Sequence, residues 1–161
     1  MALLFNRIGT AVMLLLILLC IPFTLPKLFG MQIYEVKTES MEPTYPVGSV
    51  VYVKEAEASD IAVGDVITYT LGTDTKLVMT HRVTGILDEE QSFVTKGDAN
   101  PVEDAEPVSW SRLIGRPVFC IAGIATIANF INSSEGGVAL ACVFVLVFAM
   151  WLTAERIQRR A

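Results

Sequence analysis

Three kinds of side chain in this sequence could together break an acyl bond. They are a serine set in a turn, the chain's one histidine, and a pair of aspartates in a single acidic loop. Ser40 lies in Thr38-Glu39-Ser40-Met41-Glu42-Pro43-Thr44, ahead of Pro43 and Pro46. A rigid turn after a serine can present both its hydroxyl and its own backbone N–H to a cleft. His81 falls within a strand-like run, and Asp98 and Asp104 stand six residues apart beyond it. A serine hydroxyl is a weak nucleophile until a base takes its proton, and an imidazole base works best with a carboxylate holding it. Each residue alone has a plainer reading: a turn serine, a hydrogen-bonded structural histidine, solvated or turn-forming aspartates. The order of the three within one stretch of chain is what suggests hydrolysis. Lys76 and Lys96 could act as bases chemically, but they read as surface lysines.

Other chemistries find little support. One histidine and a single cysteine outside the apolar ends cannot supply the N and S ligands that zinc prefers. The acidic run 98–106, DANPVEDAE, lacks the spacing of a calcium loop, and no G-x-x-x-x-G-K-[ST] phosphate loop is present. No metal or other cofactor is therefore expected. A net charge of −5 argues against nucleic acid, whose phosphates need a basic patch. Cys20 and Cys142 fall in the apolar ends, which leaves Cys120 without an intradomain disulfide partner, and all three read as buried apolar thiols.

The elements that must hold the candidate residues read as mainly β. MQIYEV, SVVYV, DVITYTL, KLVMTHRVTGIL and QSFVTK are rich in Val, Ile, Tyr and Thr, and turn-prone Pro-Val-Gly, Val-Gly-Asp, Gly-Thr-Asp and Lys-Gly-Asp-Ala-Asn separate them. Short strands at this spacing favour an antiparallel barrel or sandwich, with at most short helices near 55–61.

The chain of 161 residues is 53% hydrophobic and only 18% charged, against about 25% charged in soluble domains. That excess rules out disorder and sits at the two ends. Ile8 to Pro26 and Gly136 to Ala154 are each nineteen residues without a charge, long enough to cross a bilayer core of about 30 Å as helix. Pro22 and Pro26 are expected to end the first helix. That run is too long for the apolar core of a cleaved signal peptide and lacks a good small-residue cleavage site, so it reads as an anchor. Residues 117–134 are uncharged too, but Asn129 and Asn132 would be costly against lipid. They read as a buried strand followed by a segment packed on the domain or resting on the membrane surface. Residues 28–135 hold seven Lys/Arg and sixteen Asp/Glu, a balance of −9, while the ends hold five and one, a balance of +4. Cations beside spans favour the cytoplasm, so both termini are expected inside and the acidic middle outside. The expected division is 1–27 as cytoplasmic end and anchor, 28–135 as an extracytoplasmic β domain, and 136–161 as a second span with a basic tail.

The motifs add a resemblance. Ser40-Met41-Glu42-Pro43-Thr44 resembles the S-M-x-P-T box of type I signal peptidases. Val63-Gly64-Asp65-Val66-Ile67 resembles their G-D-V/I-V box, Thr80-His81-Arg82-Val83 the box holding the general base, and Lys96-Gly97-Asp98-Ala99-Asn100 the K-G-D-x-N box. Histidine at the base position is similar to the endoplasmic-reticulum, archaeal and sporulating-bacterium type rather than to the Ser–Lys type. The resemblance implies a β catalytic domain that cleaves signal peptides from secretory preproteins at the bilayer, without a cofactor and with room for accessory subunits.

It further implies Ser40 as nucleophile and His81 as base, with Asp104 or Asp98 as carboxylate. Asp104 fits the orienting position and Asp98 a supporting one, although Glu103 leaves the register open. The Ser40 N–H and, by a weaker carry-over, the Thr38 hydroxyl would serve the oxyanion. Ile33, Val36 and Met41 are candidate pocket linings and equally good core residues. Two other readings compete: a membrane-anchored β scaffold without activity, and a self-cleaving Ser–Lys protease of the repressor type.

Overall fold

A computed structural model describes residues 2–72 and 77–160; Lys76, and with it part of the Gly-Thr-Asp turn, lies outside that range. The five β-rich runs form strands β1 (Gln32–Glu35), β2 (Val50–Lys54), β3 (Val66–Thr70), β4 (Val78–Leu87) and β5 (Ser92–Lys96). Two more follow, the short β6 (Val108–Ser109) and β7 (Leu113–Ile121). All their pairings are antiparallel, in the order β1-β2-β7-β3-β4-β5-β6. Strand β7 pairs with β3 through Leu113 and Gly115 and with β2 from Arg116 onward, so one strand joins both halves of a curled sheet. The fold is mainly β with flanking helices, as the strand pattern implied.

Side-chain alternation decides which residues of β3 and β4 face the apolar core. On β3, Ile67 and Tyr69 turn inward; on β4, His81 and Val83 do, while Arg82 between them does not. With Ile61, Phe93 and Val108 the apolar members form one core. Val50 to Val53 are buried without alternation, because β2 is covered on both faces. Phe93 is fully buried and its ring lies 5.9 Å from that of Trp110.

The sheet lies within a compact unit, Pro26–Thr126, while helices α1 (Ala2–Leu28) and α3 (Ser134–Arg160) fall mainly in a second. Leu4–Leu28 and Ser134–Ile157 are long and apolar enough to cross a membrane. Neither Pro22 nor Pro26 ends α1, contrary to the sequence expectation. Each removes only one amide from the ladder, and a helix can carry that loss. The stop comes at Gly30, which adopts φ +72° while Gly30 N–H donates to Lys27 O (3.1 Å) and Met31 N–H to Pro26 O (3.1 Å), a Schellman termination.

Residues 117–134 also differ from expectation. They form the end of β7 and the short helix α2 (Ala125–Asn132), but Val118 and Phe119 are exposed rather than buried. Nor are the cysteines all buried, since Cys20 and Cys120 are half-buried and Cys142 is exposed on α3. A helix long enough to span a bilayer has most of its surface outside any protein core.

The packing makes a direct prediction. Phe93→Ala removes a fully buried ring from the centre of the β core and should lower its stability by about 3–5 kcal/mol. Denaturant titration followed by the fluorescence of Trp110, the neighbour of that ring, measures the loss.

Candidate active site

His81 lies on the inward face of β4, in register with Ile67 of β3, and is only 3% exposed. A buried imidazole needs hydrogen-bond partners for both ring nitrogens. Nδ1 lies 2.6 Å from Oδ2 of Asp104, and Nε2 lies 3.2 Å from Oγ of Ser40. An ionised carboxylate can only accept, so this contact puts the neutral ring's proton on Nδ1 and turns the Nε2 lone pair toward the serine hydroxyl.

Ser40 sits in a single 3-10 turn, Glu39–Met41, that follows β1. Buried Met41 anchors the turn, and Met41 O accepts from Tyr45 N–H at 2.8 Å. The loop after β5 grips the same turn from the other side: Ala99 N–H donates to Ser40 O at 2.9 Å. A Cβ at Gly97 would fall 2.5 Å from Ser40 O and 2.8 Å from Asn100 Nδ2, so this close approach requires glycine.

The two aspartates have different partners. Asp104 N–H donates to Thr95 O (2.8 Å), and Asp104 Oδ2 accepts from Thr95 Oγ1 (2.6 Å) and from the Tyr69 hydroxyl (3.3 Å), besides its contact with His81. Asp98 instead takes a two-pronged contact from Arg82, Nε to Oδ1 and Nη2 to Oδ2, both 2.7 Å. Thr44 Oγ1 adds a bond to Asp98 Oδ2 at 2.5 Å, and Arg82 Nη1 reaches Gly64 O at 2.8 Å. One guanidinium thus ties together the loop after β5, the turn before β3 and, through Thr44, the segment behind Ser40. The hydrogen bonds from Arg82 hold the Asp98 carboxyl below its ordinary range; partial burial opposes them and Thr44 assists.

The other candidates are placed as follows. Thr38 is exposed, with Oγ1 at 3.3 Å from Ser40 Oγ. Val36 and Met41 line a cleft of about 240 Å³ at Ser40, together with Tyr34, Tyr45, Met79 and Thr80. Ile33 does not line that cleft; it pairs with Tyr52 across β1 and β2. Glu103 is exposed, and Lys96 is half-buried at the end of β5 opposite Arg82. Sequence reasoning passed over Thr44, Arg82, Tyr69 and Thr95. Arg82 follows His81 directly and could have been matched with Asp98 by charge. Tyr69 and Thr95 belong to no motif, and only the strand register brings them to Asp104.

Comparison with known proteins bears on this arrangement. The sequence profile of the family described as signal peptidase, peptidase S26, matches residues 7–89, more than half of the chain. The chain belongs to that family. Within it, the protein is 38% identical over 87 residues to signal peptidase I W of Bacillus subtilis (strain 168). The aligned stretch is 52% of this chain and 45% of that relative, so the chain spans less than half the length of the curated relative it matches. The profile match takes in Ser40, the Gly64-Asp65 turn and His81; Asp98 and Asp104 lie beyond it.

The Arg82–Asp98 pair predicts a pH dependence of stability. The folded Asp98 carboxyl titrates below its ordinary value of 3.8, so the unfolded chain takes up that proton more readily. The contribution is therefore complete above the ordinary value and is lost as pH falls through the lower folded one. Arg82→Gln removes the cause of the shift. The melting temperature of the parent should consequently fall more steeply than that of Arg82→Gln below about pH 4. Parallel melting curves from neutral to acid pH would show that the pair adds nothing.

Proposed function

We propose that the protein is a membrane-bound serine endopeptidase that removes N-terminal signal peptides from secretory preproteins. Ser40 is the nucleophile, His81 the general base and Asp104 the carboxylate that orients it. The observation that carries this reading is the line Asp104–His81–Ser40, with contacts of 2.6 and 3.2 Å, in a chain of the signal peptidase family.

Ser40 Oγ attacks the scissile carbonyl carbon while His81 Nε2 takes its proton. Collapse of the tetrahedral intermediate breaks the C–N bond, and the same proton passes from Nε2 to the leaving amine. Water then attacks the acyl-enzyme, His81 again acting as base, and Ser40 is released. The chemistry asks for no cofactor. The Ser40 backbone N–H and the Thr38 hydroxyl stabilise the oxyanion, an effect worth about 2.7–4 kcal/mol per donor in other enzymes. Asp98 supports the site through Arg82 and takes no part in proton transfer.

Substrate lies in the cleft as an added strand beside β1, the edge strand of the sheet. A space of about 240 Å³ lined by Val36, Met41 and Met79 suits small side chains next to the scissile bond. The apolar helices α1 and α3 span the bilayer with both termini cytoplasmic, which the basic ends and acidic middle support. The catalytic domain, 28–135, then stands on the extracytoplasmic face, where preproteins emerge. Sharing that thin layer raises the effective concentration of enzyme and substrate.

The test is processing of a secretory precursor by the full chain in detergent. Ser40→Ala and His81→Ala should each lower kcat by on the order of a millionfold and Asp104→Asn by on the order of ten-thousandfold, with melting temperatures close to the parent's. Asp98→Asn should chiefly lower the melting temperature. Normal processing by His81→Ala would overturn the mechanism.

Gly97→Ala tests the placement of the nucleophile. A methyl group forced against Ser40 O moves Oγ away from Nε2, and a misplacement of about 1 Å can lower turnover about 100-fold. Measured kcat should drop with KM little changed.

A further inference from the structure

The contacts around Asp104 exceed what a carboxylate needs merely to meet an imidazole. Its Oδ2 receives the Thr95 hydroxyl at 2.6 Å and the Tyr69 hydroxyl at 3.3 Å as well as His81 Nδ1 at 2.6 Å. Thr95 holds the residue at a second point, since its carbonyl accepts from Asp104 N–H at 2.8 Å. Both hydroxyl residues are buried, Thr95 completely and Tyr69 to within 3%. They come from different strands, β3 and β5, which flank β4 and its histidine on either side.

Asp104 itself is less protected. It lines a second cleft of about 210 Å³, and 21% of its side chain is exposed. A carboxylate open to water on one side can turn away from the ring it is meant to hold, unless other donors fix its rotamer. We propose that Tyr69 and Thr95 are positioning residues, forming a two-hydroxyl cradle that keeps the Asp104 carboxylate aimed at Nδ1 of His81. The proposal rests on the Ser40–His81–Asp104 reading above.

The chemistry of the hydroxyls suits the task. Thr95 uses its proton on Asp104, and its oxygen lies 3.4 Å from the Tyr69 hydroxyl. Burial foremost, with the nearby Asp104 charge assisting, pushes the Tyr69 phenol up to about 12, although the Thr95 contact and Arg112 pull it down. It therefore stays a donor across the working range. The charged and titratable groups around Asp104 are His81 on β4, Tyr69 on β3, and Glu106 and Arg112, which line the second cleft. Asp98 acts on the imidazole only as a neighbouring charge, being bound to Arg82. Arg112 donates to Pro107 O at 2.7 Å.

Two effects follow from removing a donor. The carboxylate is held less firmly, so the imidazole is less well aligned and turnover falls. Its negative charge is also less shared, so the protonated imidazole is favoured and the acid limb of the rate profile moves to higher pH. Thr95→Val and Tyr69→Phe remove the donors with little change in volume.

The experiment measures kcat and KM of the full chain in detergent on a secretory precursor, across the pH range of the imidazole. Thr95→Val should lower kcat roughly tenfold with KM unchanged and shift the acid limb upward. Tyr69→Phe, with the longer contact, should do the same to a smaller extent, and Thr95→Ser should recover the parent profile. Parent kcat and an unmoved acid limb in both Thr95→Val and Tyr69→Phe would overturn the cradle. So would a loss of kcat without a shift that Thr95→Ser fails to recover, which would mark a packing effect. Asp104→Asn separates this from the underlying reading: if it processes precursor at the parent rate, the Ser–His–Asp assignment itself fails.

Discussion

An imidazole on the inward face of a β-strand cannot rely on water for its hydrogen bonds. At His81 that constraint is met by the carboxylate of Asp104, 2.6 Å from Nδ1, and by Ser40 Oγ, 3.2 Å from Nε2. Without a partner for Nδ1, the ring's burial would be unfavourable, and neither its tautomer nor its orientation would be set. The contact therefore explains both why histidine is tolerated among Ile67, Tyr69 and Val83 and why its second nitrogen faces the serine. The surrounding sheet can be seen as what makes the contact possible: β4 supplies the ring, β5 holds Asp104 through Thr95, and the turn after β1 delivers Ser40.

Ion pairing plays the complementary part outside the core. Arg82 follows His81 directly, so strand alternation sends it to the opposite face, where it gathers Asp98 and Gly64 O. Two adjacent residues of β4 thus serve two purposes, a buried proton-bearing contact inward and a half-exposed clamp outward. The clamp fastens the loop that carries Gly97 and Ala99, and Ala99 N–H in turn holds Ser40 O. Loss of charge at Asp98 would slacken this clamp, and the cost falls chiefly on stability.

Much of this was legible before the fold was known. The five β-rich runs, the two apolar ends and the order of Ser40, His81 and the two aspartates all follow from local composition and spacing. What could not be read were the consequences of long-range pairing. Asp98 and Asp104 are equivalent by chemistry and close in sequence, and only the path of the loop sends one to Arg82 and the other to His81. Thr95 and Tyr69 look like ordinary strand residues until the β3–β4 and β4–β5 registers set them beside the same carboxylate. Pro22 and Pro26 misled in the opposite way. A local rule said that the helix should stop, but one lost amide is small against the remaining ladder, and Gly30 makes the termination instead.

The sequence by itself determined the class of structure and the kinds of group present. Runs rich in Val, Ile, Tyr and Thr, turn residues and nineteen-residue uncharged runs are properties of neighbouring residues, and they need no knowledge of the rest of the chain. Tertiary structure decided which carboxylate meets the imidazole, which hydroxyls support it and which residues face the cleft. Those choices depend on distances of a few ångströms between segments tens of residues apart. Such distances are set by strand register and loop path, which shift as units and are fixed only when the core around His81, Ile67 and Phe93 closes.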